Sequence, residues 1–356
     1  MGRVGLIEDA VILAEGRLSV FGAKTASCIL RYANEAVVAV LDSTNAGKTA
    51  EAVLGFGGAV PIVASVKDSL KYKPKQLVIG IAPIGGGLPP EYREIVKEAI
   101  ESRLSVVSGL HYMLNDDEEL YDLAQKHSVK LLDVRRPPDE LTVSKDEARF
   151  LPVFRCLTVG SDCSVGKMVV SWEVAKALRK KNINAQFCAT GQTGMMLSGW
   201  GICVDRVISD FVAGAAESLV KKVSDADIAM IEGQGTIYHP AYSGVTLSLL
   251  HGSCPNIMIL CHHLGRTHIK QYDVSIPPLK KIVYDYEYVS AYTHPAKVVG
   301  IGLNTVDSDE ETARKACIEL ERELNLPVTD CVRFGPEPLA DAVFKEFKQW
   351  KSVWKK

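Results

Sequence analysis

The sequence predicts an α/β protein of two domains: an N-terminal Rossmann-like parallel sheet and a C-terminal P-loop NTPase-like parallel sheet. Three observations carry this. Short apolar, β-rich runs alternate with longer amphipathic stretches, the pattern of parallel strands joined by crossover helices. The length of 356 residues is more than twice the ~150 residues of an average domain. A glycine-bounded loop ending in lysine follows an apolar strand early in the second half and opens a helix.

In the first half, residues 23–32 form an amphipathic stretch read as a helix, and Ala36 to Leu41 reads as a strand. Asp42 to Gly47 is a polar loop ending in glycine, and a helix is expected over 48–54. Further strands are expected at 60–63, 76–81 and 105–108, with helices at 90–103 and 118–126. The stretch Asp42-Ser43-Thr44-Asn45-Ala46-Gly47-Lys48-Thr49 is a near-miss to a phosphate loop, with aspartate in place of the first glycine. A strand-end aspartate repels phosphate and suits a ribose hydroxyl or an ammonium. The stretch therefore reads as a structural Rossmann turn or a second pocket.

Residues 133–147 change character: Arg135, Arg136, Pro137 and Pro138 lead into a mixed-charge run. Consecutive prolines continue neither a helix nor a central strand. A linker is expected at about 133–150, giving domains 1–150 and 151–356. The two arginines read as a solvated linker or as an anion-binding pair.

The second half begins with a strand at 155–159, the loop, and a helix at 167–180. Strands are expected at 184–189, 228–231, 256–261 and 298–303, with a helix at 210–223. Ser308 and Glu311 form an S-x-x-E capping box for a helix at 309–324. A terminal helix is expected at about 339–354.

Composition narrows the function. Hydrophobic residues are 47% and charged residues 24%, ordinary for a globular protein with a packed core. A formal net charge of -2 argues against general nucleic-acid binding, which favours a basic excess. The longest apolar runs fall far short of the ~20 residues that span a bilayer. A cytoplasmic protein with a small-molecule substrate is expected, assembling as a homo-oligomer, with neither nucleic acid nor membrane as partner. The 9 cysteines are odd in number and widely spaced, with no C-x-x-C. They read as reduced core residues, except Cys163, which lies within the loop.

That loop is Gly160-Ser161-Asp162-Cys163-Ser164-Val165-Gly166-Lys167-Met168. Its backbone N–H groups, the following helix N-terminus and the lysine together favour an anion, so these residues are read as the cofactor-binding set. Two details depart from the common pattern. Five residues rather than four separate the glycines, and Met168 stands where a Ser or Thr would hold Mg²⁺. A thioether is a poor ligand for that hard cation. The loop should bind a diphosphate without metal-assisted transfer, and no metal site is expected.

Other candidates cluster at strand ends. Glu232 follows the strand 228–231, with Gly233, Gln234, Gly235, Thr236, Tyr238 and His239 after it. A carboxylate there points into the crevice where parallel sheets bind ligands, so Glu232 and His239 are the candidate catalytic residues. Thr190, Gln192 and Thr193 follow another strand and offer polar contacts to substrate. Arg206 and Arg266 are candidate clamps for a carboxylate, though Asp205, Arg206 and Asp210 also suit caps and surface ion pairs. Cys261-His262-His263 and His268 could suggest metal, but adjacent strand residues point to opposite faces. Asn304 ends a strand where it could read a nucleobase edge or make a turn.

The loop GSDCSVGKM, the Glu232-Gly233 pair and Asn304 resemble dethiobiotin synthetase. A fuller resemblance runs through Gly22 to Ala26, Val38 to Ser43, Asp133 to Pro138, the loop, Ile231 to His239, Gly302 to Thr305 and Asp330 to Gly335. On these the chain resembles the D-glutamate N-acetyltransferase-like family, with a Rossmann-like N-terminal and a P-loop-type C-terminal domain. The resemblance implies acetyl-CoA as cosubstrate and N-acetylation of a D-amino acid. Glu232 or His239 would be the base, residues 191–194 the oxyanion donors and Arg206 or Arg266 the carboxylate clamp. The loop would hold the coenzyme phosphates, and Cys163 is a possible acyl-carrying nucleophile. The alternatives are an ATP- and Mg²⁺-dependent carboxylase or ligase, and a nucleotide-binding regulatory protein.

Overall fold

The computed structural model describes residues 2–20, 22–83 and 85–354. They form two compact units: the chain up to Pro137 with Gly191–Arg206, and Pro138–Thr190 with the chain from Val207 onward. Each unit is built on a six-stranded, all-parallel sheet with helices in its crossovers, the two α/β domains the sequence predicts.

In the first unit a small hairpin, β1 (Arg3–Val4) and β2 (Ile7–Glu8), precedes β3 (Ala10–Leu13) and α1 (Lys24–Tyr32). There follow β4 (Val37–Leu41), α2 (Ala50–Leu54), β5 (Ile62–Val63), α3 (Val66–Ser69) and β6 (Gln76–Ile79). The unit continues with α4 (Pro90–Glu101), β7 (Ser105–Ser108), α5 (Glu118–His127) and β8 (Leu131–Asp133). The sheet order is β5-β4-β3-β6-β7-β8. β3, which the sequence reading missed, lies at its centre with all four residues buried. A strand this short, buried on both faces, lacks the alternation that marks a half-exposed strand.

Asp42 at the end of β4 is fully buried. Its carboxylate accepts from Gly16 N at 3.0 Å, Thr44 Oγ1 at 2.7 Å and Asn45 Nδ2 at 2.8 Å. These bonds hold the turn, so the aspartate is structural. Arg135 is buried, donating to Gly109 O at 2.7 Å and pairing with Asp205. Of the two readings of the pair, the solvated linker does not fit Arg135; Arg136, more exposed, pairs with Asp116.

The second unit runs β9 (Phe154–Gly160), α6 (Lys167–Lys180) and β10 (Ala185–Cys188). Next comes α7 (Gln192–Ser198), which clusters with the first unit. Back in the second unit are α8 (Val212–Lys222), β11 (Ile228–Ile231), α9 (Ser243–Ser253), β12 (Ile257–His263) and α10 (Leu279–Ser290). The chain closes with β13 (Lys297–Asn304), α11 (Glu310–Leu324), β14 (Val328–Thr329) and α12 (Glu337–Trp354). The strand order is β10-β11-β9-β12-β13-β14. β9 is buried throughout and pairs with β11 on one side and β12 on the other. The winding direction reverses at β9, so its carboxyl end opens the crevice where parallel sheets take ligands.

The segment 191–206 joins the first unit through specific bonds. Leu6 N donates to Met196 O at 2.9 Å, Thr25 Oγ1 lies 3.1 Å from Thr193 Oγ1, and Arg135 holds Asp205. Linear hydrophobic patterning does not register such an excursion. The expected capping box is also displaced: Asp309 caps α11, accepting from Thr312 N at 2.8 Å. Ser308 is instead part of the preceding turn, its N donating to Thr305 O at 3.0 Å. The sequence reading missed α10 as well. The exposed face of α10 carries Tyr284 and Tyr288 beside Lys280 and Lys281, so its contrast with the apolar face is weakened. Among the described residues no helix is long and apolar enough to cross a membrane.

Candidate functional site

The loop between β9 and α6 sits at the switch point of the second sheet. Gly166 has φ 104° just before the helix, a conformation that favours glycine, while a Cβ there would meet nothing within 4 Å. Conformation rather than space selects this residue. Lys167 folds back into the loop; it is only 7% exposed, and its Nζ donates to Asp162 O at 2.8 Å. Met168 is buried.

Asp162 is fully buried at the centre of the loop. Oδ1 accepts from Cys163 N at 2.6 Å; Oδ2 accepts from Arg266 Nη1 at 3.0 Å and from Lys270 N at 2.8 Å. Arg266 also donates to Cys163 O at 2.7 Å. The arginine expected as a substrate clamp thus lies against the loop and compensates its buried carboxylate. Ser161 Oγ lies 2.8 Å from His262 Nδ1, and burial pushes that imidazole down to about 4.

Glu232 stands at the carboxyl end of β11, 4% exposed. Its Oε2 accepts from Thr190 N at 3.0 Å, while Thr190 Oγ1 donates to Glu232 O at 2.7 Å. Gln234 Nε2 donates to the same hydroxyl at 3.0 Å. Thr190 therefore orients the carboxylate from the neighbouring strand. At Gly233 a Cβ would lie 1.6 Å from Thr158 O, so only glycine fits, and Gly233 N donates to Thr158 Oγ1 at 3.0 Å. The buried Tyr286 hydroxyl donates to Gly160 O at 2.8 Å and accepts from Ile237 N at 3.3 Å. It ties the 232–239 segment to the end of β9.

His239 is 2% exposed, with Tyr242 and Tyr272 ring centroids 4.5 Å and 4.9 Å away. Its Nδ1 accepts from Ala241 N at 3.1 Å. Burial lowers its pKa below the ordinary value, although Asp162 opposes this. The ring is neutral, and the bond to Nδ1 assigns its proton to Nε2. One ligand atom each of Asp162, Cys163 and His239 lies within 4.8 Å of the others.

The second unit thus gathers residues 160–168, Thr190, Glu232, His239 and Arg266 at one sheet edge. Asn304 ends β13 in register with His263; its Oδ1 accepts from Val306 N at 3.2 Å, as a turn residue does. Thr305 and Asp330 brace that turn, the Thr305 hydroxyl donating to Asp330 Oδ2 at 2.7 Å. Gln192 and Thr193, expected as polar contacts to substrate, and Arg206, expected as a carboxylate clamp, cluster with the first unit. The histidines bond separate partners: His262 meets Ser161, His263 meets Asp307 at 3.2 Å, and His268 lies 3.1 Å from Thr267 Oγ1. Sequence reasoning missed Thr158 and Tyr286. Thr158 left one signal, a lone hydroxyl within an apolar strand.

A parallel sheet with a glycine- and lysine-bounded loop at its switch point defines a P-loop α/β protein, here joined to a Rossmann-like unit. Residues 142–340 match the family model described as domain of unknown function (DUF1611_C) P-loop domain, and residues 43–137 match its DUF1611_N Rossmann-like domain. The chain belongs to this DUF1611 family. A protein of Pseudoalteromonas sp named D-glutamate N-acetyltransferase is 40% identical over 277 residues, 77% of this chain and 83% of that one. One of the same name from Tritonibacter scottomollicae is 38% identical over 273 residues, 76% and 81% of the two chains. The crystal structure of a DUF1611 family protein from Anabaena variabilis is 42% identical. It covers 94% of this chain and 99% of its own, with a TM-score of 0.90. With these relatives the chain is an enzyme, an N-acetyltransferase.

Proposed function

We propose that this protein transfers the acetyl group of acetyl-CoA to the α-amino group of a D-amino acid, D-glutamate foremost, and that residues 160–168 hold the coenzyme diphosphate. The observation that carries this reading is the loop itself. A buried lysine folds back onto the loop and donates to its Asp162 carbonyl, while a buried thioether replaces the hydroxyl that would hold Mg²⁺. Such a loop suits a diphosphate that is bound and not cleaved. The names of the two relatives supply the acceptor.

The chain's own residues divide the chemistry. The substrate ammonium must lose a proton before its nitrogen attacks. Glu232, a carboxylate oriented by Thr190 N, takes that proton. His239 presents N–H at Nε2 rather than a lone pair, so it serves as a donor to the developing oxyanion and not as the base.

Purified protein is incubated with acetyl-CoA and a panel of D- and L-amino acids while thiol release is followed, with phosphate release from ATP measured in parallel. Thiol release that requires a D-amino acid is expected. Amino-acid-dependent phosphate release without thiol overturns the reading in favour of an ATP-dependent ligase. Silence in both assays overturns it in favour of a regulatory nucleotide-binding protein.

A further inference from the structure

We propose that the first unit holds a binding site of its own for a small carboxylate, formed by Arg135, Arg206 and His111 at the carboxyl edge of its sheet. Arg135 stands two residues beyond β8 and His111 three residues beyond β7, at the edge where parallel sheets take ligands. Arg206 comes from the excursion 191–206, which clusters with the same unit. The sequence reading paired Arg135 with its neighbour Arg136, but that side chain turns to Asp116 and Asp133.

Three groups here have hydrogen-bonding capacity to spare. The Arg135 side chain is only 7% exposed, with Nε donating to Gly109 O at 2.7 Å and Nη1 paired with Asp205. Its Nη2 makes no hydrogen bond among the described residues. A guanidinium buried this far is destabilising while a donor stays unmet. His111 Nε2 lies 3.9 Å from Asp205 Oδ2, beyond hydrogen-bond reach. The Arg206 guanidinium is exposed and meets no partner among the described residues. The loop after β6 closes against the imidazole: at Gly86 a Cβ would lie 2.4 Å from His111 Cδ2, so a larger residue would push the ring aside.

The charges select the ligand. Arg135 and Arg206 against Asp205 leave one positive charge unbalanced. Burial and Arg135 lower the His111 pKa below its ordinary value; Asp205 opposes them and Arg206 adds to them. The ring is therefore neutral and offers one N–H. One carboxylate balances the spare charge, and its two oxygens can accept from Arg135 Nη2 and from Arg206 or His111. A doubly charged phosphate would exceed that charge, and a cation is repelled by both guanidiniums. Asp205 repels the incoming carboxylate and so limits its affinity. The cluster shares no residue with the loop 160–168, Glu232 or His239, so the proposal does not depend on the acetyltransfer reading.

Full-length protein is titrated with butyrate, a monocarboxylate with no amine to be acetylated, at constant ionic strength in sodium chloride. The His111 ring-proton resonances, assigned by their loss in His111→Gln, are followed by NMR spectroscopy. A saturable shift of these resonances is expected. Arg206→Gln removes an exposed group that makes no bond in the fold, and should raise the Kd about tenfold or more with an unchanged melting temperature. Asp205→Asn keeps an acceptor for Arg135 but removes the repelling charge, and should lower the Kd about threefold or more. Inorganic phosphate should shift the same resonances more weakly. No saturable shift, an unchanged Kd in Arg206→Gln, or binding in Asp205→Asn that is no tighter overturns the proposal. Phosphate binding more tightly than butyrate overturns it in favour of a phosphate site. Shifts reproduced by chloride alone overturn it in favour of an adventitious ion only.

Discussion

Replacing Lys167 with methionine tests the loop most directly. The two stems are similar in length, so the buried packing of the side chain is largely kept. What is lost is an ammonium, only 7% exposed, which donates to Asp162 O at 2.8 Å. A hydrogen bond from a charged group contributes about 1.5–3 kcal/mol. The Kd for CoA should therefore rise about 10- to 150-fold, measured by titration calorimetry. The remaining amide cradle and helix N-terminus still bind, so affinity falls without vanishing. An acetyl thioester lacking the diphosphate should be used equally well by both proteins, because it makes no contact with the lysine. Loss of the bond to Asp162 O should cost up to about 1.5–3 kcal/mol of stability, offset by the relief of a buried charge, and a thermal melt checks this. An unchanged Kd would refute phosphate binding by this loop.

Other expectations follow from the same contacts. Thr158→Val leaves Gly233 N–H without its acceptor, so stability should drop about 1–3 kcal/mol, with turnover falling because Glu232 is adjacent; urea melts and kcat check both. The His262 imidazole is held down to about 4 against an ordinary 6.5. The unfolded chain therefore takes its proton first, and stability is full above about pH 6.5 and declines as pH falls toward 4, by about 3 kcal/mol at most. His262→Gln should flatten that decline without removing it, since His239 and His294 shift in the same direction; urea melts across this range measure it. Asp309→Ala should cost about 1 kcal/mol through loss of the α11 cap, and Ser308→Ala much less. Comparative thermal melts distinguish the two, and equal losses would contradict the observed cap.

The residues that sequence reasoning placed correctly are those whose physics is local. The strand–loop–helix unit around residues 160–167 was legible because glycine spacing, an apolar strand and a following lysine all lie within one short window. Glu232 was legible because it follows an apolar run directly. Asp309 shows the limit of such local reading: S-x-x-E marks a helix start within a residue or so, and the turn bond from Ser308 N to Thr305 O decides which side chain caps it. β3 was missed because a four-residue strand buried on both faces has no polar alternation to reveal it.

The sequence by itself determined the α/β class, the two sheets, the identity of the loop and the strand-end carboxylate, because each follows from periodicity or from groups adjacent along the chain. Only the tertiary structure decided that Asp162 is buried and compensated by Arg266, and that Thr190 orients Glu232 from the next strand. It alone assigned the His239 proton to Nε2, brought His239 within reach of Cys163, and drew residues 191–206 into the first unit. These are interactions between groups far apart in sequence. Their geometry depends on strand order and on which polar atoms remain to be satisfied once the core has packed.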